Sequence, residues 1–219
     1  MIGLLKERFY CTAESNKMYF GFLAVLAVII LLTGNSMLLY GYALLSLPGF
    51  AFISVAGLRK ESVSNWCKYK LTFPVRRSII IDSFYISHTI LIMFGMLLTI
   101  LVFAFAVLLH GNHYFDLGLR DAVSILTFFG IVAFFIGATF CPLFYYCGTE
   151  KADVLLVISL IISVGFAVLM VWLLNYLNDF QQVSNSQYGI VLMVMWLTAL
   201  IVFLVSRFSA NHIYQKAEY

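Results

Sequence analysis

Six long apolar runs, about 18–34, 36–57, 79–109, 121–147, 152–174 and 188–208, leave this chain one class of fold. Each is about 17 to 30 residues long, enough to cross a bilayer as a helix. In hydrocarbon the backbone must satisfy its own hydrogen bonds, so such runs are helical. Alternating strand segments of about ten residues are absent, which argues against an outer-membrane barrel. The expected fold is therefore an all-α polytopic membrane protein with six transmembrane helices, residues 18–219 forming one membrane domain. Composition agrees: 63% of residues are hydrophobic and 11% charged, where a soluble domain carries about 25% charge. The third run is longer than a bilayer needs, so it must tilt or project.

Orientation follows from the basic residues. With the N-terminus inside, twelve of the thirteen fall on the cytoplasmic side: Lys6, Arg8, Lys17, six between 58 and 78, Lys151, Arg207 and Lys216. Arg120 alone falls outside, next to Asp121. The positive-inside rule selects this arrangement, a multi-pass protein of the plasma membrane with both termini, including the tail 209–219, in the cytoplasm. The N-terminus does not read as a cleaved signal peptide, because its apolar run starts late and continues into a full span. Residues 1–17 place Ile2, Leu5 and Phe9 at helical spacing with Lys6, Glu7 and Arg8 opposite, which predicts an amphipathic helix in the interface. Cys11, Cys67, Cys141 and Cys147 all fall near the reducing side and show no metal spacing, so free thiols and no metal are expected.

Catalytic and ion-coupling chemistry is not apparent in the spans. No run carries an ionisable residue at mid-membrane, where coupling groups usually stand. Asp82 lies about one turn inside the third run, and its expected role is an ion pair with Arg76, Arg77 or Lys70. His88 has no acid or second ligand at helical spacing and reads as a packing residue. His110 and His113 flank a short outer turn and carry no assigned role. The segment Gly148-Thr149-Glu150-Lys151 lacks the strand and spacing of a phosphate loop. Nucleophile-elbow and zinc-protease patterns are missing as well. Pro48 and Pro142 each remove a backbone donor within a span and are candidate helix kinks.

Between the second and third runs lies a polar island, 58–78, which reads LRKESVSNWCKYKLTFPVRRS. It holds Arg59, Lys60, Lys68, Lys70, Arg76 and Arg77 against a single acid, Glu61. Ser62 is placed to cap a short helix reaching about Lys70. Pro74 then ends the helical stretch and holds Phe73 extended. On the residues alone, an ordinary basic loop anchored by Trp66 and Tyr69 and a protein-docking element are equally good readings.

The order Glu61, Trp66, Phe73-Pro74-Val75 and Arg77 resembles a pattern in permease subunits of the type 2 ABC exporters. Six spans, cytoplasmic termini and a long loop after the second span agree over the whole chain, while the motif itself covers about 25 residues. Phe73 stands where leucine is usual, and Phe84 where many members carry lysine. The resemblance implies that 61–70 is a coupling helix seated on a separate cytoplasmic ATPase. Glu61, Trp66, Lys68, Tyr69, Lys70, Phe73, Pro74, Val75 and Arg77 are then its docking residues. It implies that ATP and magnesium bind that partner and no cofactor binds this chain. It also implies a second permease subunit, identical or homologous, contact with membrane lipid, and no nucleic-acid partner. Small permeases of this kind export amphipathic peptides or protect against antimicrobial ones. The competing reading is a non-transporting scaffold or immunity protein that binds a cytoplasmic partner or anionic lipid through the same basic loop.

Overall fold

A computed structural model of the protein describes residues 2–64, 76–111, 115, 118–148, 151–177 and 185–216. These form six helices: α1 (Ile2–Thr33), α2 (Ser36–Val63), α3 (Arg77–His110), α4 (Leu119–Cys147), α5 (Ala152–Leu177) and α6 (Asn185–Lys216). All six are long and apolar enough to cross a membrane. The chain is a multi-pass membrane protein of the expected all-α class. The helices begin and end close to the apolar runs but extend past them. The 34 residues of α3 correspond to about 50 Å of helix, against about 30 Å of hydrocarbon.

The turn between α1 and α2 shows how so short a connection reverses the chain. Gly34 takes φ 65°, a left-handed conformation that glycine adopts without a side-chain penalty. Its N–H donates to the Ile30 carbonyl (3.1 Å) and closes α1. Asn35 then accepts the Met37 N–H (2.9 Å) and opens α2, as an N-cap side chain does.

Residues 2–17, expected as a separate interfacial helix, run without interruption into the first span as one 32-residue helix. This half of α1 continues along α2. Thr12 lies against Gly57 and Tyr19 against Gly49, antiparallel throughout. On this half Arg8 and Thr12 are buried, Phe9 packs partly buried against the core, and Lys6 is exposed.

Helix α4 is the hub of the bundle and packs against α2, α3, α5 and α6. One core joins Leu47, Ala51 and Val55 of α2 to Ile81 and Phe84 of α3 and to Ile136, Phe140 and Phe144 of α4. A second joins α1 to α2 and α3 through Leu23, Ile30, Leu39 and Phe50. Between membrane helices such packing gains little from water exclusion and depends on close contact and interhelical hydrogen bonds. At Gly137 the approach is close as well, since a Cβ there would overlap the imidazole of His88. Ser46 and Thr99 share a buried hydrogen bond between α2 and α3 (2.6 Å).

Candidate transmission site at the basic end of the bundle

The polar island leaves α2 and returns into α3, so its mechanical connections are the side chains at those two helix ends. Of the docking residues expected from the sequence, Glu61 and Arg77 are described. Trp66, Lys68, Tyr69, Lys70, Phe73, Pro74 and Val75 lie outside the described residues. Ser62 is not an N-cap, because α2 runs on to Val63. Carrying the helix past the apolar run brings Glu61 back onto the bundle.

Glu61 is 3% exposed. Its Oε1 lies 3.5 Å from Nη1 of Arg8 on α1. Arg8 Nε also donates to Ser83 Oγ of α3 (3.0 Å), and its guanidinium sits 5.5 Å from the centre of the Phe84 ring. Ser83 passes its own proton to the Ile80 carbonyl (2.7 Å). One buried arginine thus touches the helix that enters the island and the helix that leaves it. A buried charge needs a partner charge and hydrogen bonds. Glu61 and Ser83 supply both, and Phe84, which stands where lysine is common in the resembling permeases, offers the cation an aromatic face instead of a like charge.

Around this pair the same end carries weaker ties. Lys60 Nζ donates to Ser15 Oγ of α1 (3.0 Å). Arg59 pairs with Asp153 at the start of α5 (2.8 Å), where both side chains are exposed. Across the island, Arg77 donates to the carbonyls of Tyr214 (3.4 Å) and Gln215 (3.2 Å). Those carbonyls lie in the last turn of α6, where a helix has no donors of its own and its dipole favours a cation. The island is therefore flanked by a tie to α1 through Glu61 and a tie to α6 through Arg77.

Asp82 makes an ion pair, but its partner is Arg207 of α6 (2.7 Å). The partner expected from the sequence, Arg76, Arg77 or Lys70, is a near neighbour in sequence. Pairing with Arg207 instead joins two helices, and Arg77 is turned toward the end of α6. His88 is fully buried in α3, with its ring stacked between Phe84 (5.6 Å) and Phe203 (6.1 Å). Its Nε2 donates to the Ala133 carbonyl (3.2 Å), and Nδ1 has no partner among the described residues. That is a packing arrangement. Among the described residues, no cluster of histidine, cysteine, aspartate and glutamate is suited to hold a metal ion. Cys11 and Cys147 are exposed and Cys141 is buried, while Cys67 lies outside the described residues.

Pro48 and Pro142 lie inside continuous helices. Beside Pro48, the Tyr19 hydroxyl of α1 crosses over Gly49, where a Cβ would block it, and donates to the Leu45 carbonyl (2.6 Å). Pro142 cannot donate to the Ala138 carbonyl, four residues earlier. Ser206 Oγ of α6 donates to that carbonyl instead. Arg8, Tyr19 and Ser206 carry this arrangement, and the sequence alone does not single them out.

The family model described as "ABC-2 family transporter protein" matches residues 3–215. No curated protein and no solved structure matches the chain significantly.

Proposed function

The chain belongs to the ABC-2 transporter family and is a transmembrane permease subunit of an ABC transporter, and we propose that it serves an ATP-driven exporter. Energy comes from a separate ATPase subunit on the cytoplasmic side, which binds ATP and magnesium. A second permease, identical or homologous, completes the pathway. The island 58–78 is the element that receives the motor's movement. Trp66 and Tyr69 supply aromatic contact area, and Lys68 and Lys70 steer toward acidic surface. Phe73, Pro74 and Val75 complete the docking set.

The observation that carries this reading is the way the island is anchored. Glu61 is buried against Arg8, and Arg77 caps the last turn of α6. Glu61 then acts from within the bundle, by fixing the end of α2, and does not meet the partner directly. A push on the island passes through Arg8 to α1 and α3, and through Arg77 to α6. A loop with no mechanical role has no need of a buried ion pair at its root, since burying two charges is costly. The cargo best suited to these largely uncharged spans is an amphipathic peptide or a lipid-like molecule.

Co-expression with a candidate ATP-binding subunit, followed by purification in mild detergent, tests the proposal. The two chains are expected to co-purify, and export from cells or vesicles to require ATP. Trp66→Ala and Pro74→Ala are expected to weaken both. Intact complex and undiminished export in both variants would rule out a coupling role for the island.

A further inference from the structure

A serine inside a helix commonly returns its proton to its own backbone. Ser83, Ser87 and Ser159 do so here, each donating to the carbonyl three residues earlier. Ser54 of α2 is buried too, at 5% exposed, yet its hydroxyl bonds to none of the described residues. A second buried donor stands in the same position. Arg8 directs Nε to Ser83 and Nη1 to Glu61, but its Nη2 is buried with no partner among the described residues. The Arg8 side chain is 6% exposed, and at that depth an unpaired N–H on a charged group is costly. Arg8 and Ser54 line one cavity of about 10 Å³ between α1, α2 and α3, together with Thr12, Glu61 and Ser87. Thr12 is already engaged, since its Oγ1 donates to the Arg8 carbonyl (3.0 Å) and accepts from Asn16 Nδ2 (3.2 Å).

We propose that this cavity is a binding site for a single water molecule, which joins three helices at the root of the island. Its volume is what one water needs, and a buried water also requires several polar partners. The lining supplies them. The water accepts from Arg8 Nη2 and from the Ser54 hydroxyl. It donates to the Glu61 carboxylate and to Ser87 Oγ, whose own proton goes to the Phe84 carbonyl (2.9 Å). A larger ligand does not fit this volume, and an anion would meet Glu61. Arg8 brings in α1, Ser54 and Glu61 bring in α2, and Ser87 brings in α3. The water solvates the Arg8–Glu61 pair from within and so offsets part of the cost of burying it. Its part in passing motion from the island rests on the permease reading, but the site itself does not.

Thermal unfolding of the purified full chain in detergent tests the site without any ATPase. Removing a hydroxyl that has no partner is neutral or stabilising, whereas removing one that holds a water costs a hydrogen bond. Ser54→Ala is therefore expected to lower the unfolding midpoint by about 2–4 °C, the effect of one hydrogen bond on a chain of this size. In the Arg8→Met/Glu61→Leu background, where the water has lost its charged partners, the same substitution should shift the midpoint by less than half as much. An unchanged or raised midpoint in Ser54→Ala would overturn the site. Equal losses in the two backgrounds would overturn it as well, since they would reflect only the space that alanine leaves. Should the variant in Arg8 and Glu61 not fold, X-ray radiolytic labelling of the native chain decides, because hydroxyl radicals formed from a bound water mark the side chains around it. Leu91, which lines the cavity and is 7% exposed, should be labelled faster than Leu155, which is 5% exposed elsewhere in the core. Equal labelling of the two would overturn the site. Export by the native chain that proceeds without any ATPase would refute the permease reading and leave both of these results standing.

Discussion

Arg8 of α1 and Glu61 of α2 form an ion pair at 3.5 Å with side chains 6% and 3% exposed. It sits at the root of the polar island and is shared with α3 through Ser83. A pair at this depth is asymmetric in its energetics. Removing one partner leaves an uncompensated charge, whereas replacing both removes the desolvation cost as well.

Arg8→Ala or Glu61→Ala is therefore expected to destabilise the chain by about 3–5 kcal/mol. Arg8→Met/Glu61→Leu, which fills the same space with apolar side chains, should recover most of that loss. Thermal unfolding in detergent, followed by the fraction of monodisperse protein remaining, reads both outcomes. A double variant as unstable as either single one would show that the pair does not act as a unit.

Gly137 and His88 make the second test. Any Cβ at 137 meets the imidazole, so Gly137→Ala must displace the ring from its hydrogen bond to Ala133. A loss of about 1–3 kcal/mol is expected, as for other overpacked cores. His88→Ala should remove most of the penalty of Gly137→Ala when the two are combined, because the clash and the buried Nδ1 disappear together. Additive losses in a double-mutant cycle would contradict the contact.

The pair Asp82–Arg207 is more accessible, with side chains 24% and 44% exposed. Asp82→Asn is expected to cost only about 0–1 kcal/mol, since solvent screens such pairs. It should also leave ATP-dependent export in place. Export that vanished in Asp82→Asn while the protein stayed folded would assign Asp82 a coupling role that its geometry does not suggest.

Local chemistry made much of the fold readable. Apolar length located all six helices, and Gly34-Asn35 marks the α1–α2 reversal because glycine, lacking a side chain, suits a left-handed residue and the asparagine amide suits a cap. Pro142 announces an unpaired carbonyl at Ala138. Which hydroxyl reaches that carbonyl depends on the register of α6 against α4, and no local pattern encodes it. Arg8 was misplaced for a related reason. On an isolated helix a cation belongs on the polar face, and only the arrival of Glu61 from α2 makes its burial tolerable. Asp82 was paired by sequence proximity, while the structure pairs it across helices. The island itself was legible as a basic segment, and its anchoring at Glu61 and Arg77 became visible only when α1 and α6 were in place.

The central claim is that the island meets an ATPase. Site-specific photo-crosslinking tests it most directly, with a photoreactive amino acid at position 66 and, as a control, at Leu119. The control side chain is 82% exposed and lies at the opposite end of the bundle. Position 66 is expected to crosslink to an ATP-binding subunit in intact cells, with a yield that changes when ATP is depleted, and position 119 is not. No such adduct at position 66, in a chain that still exports its cargo, would contradict the account.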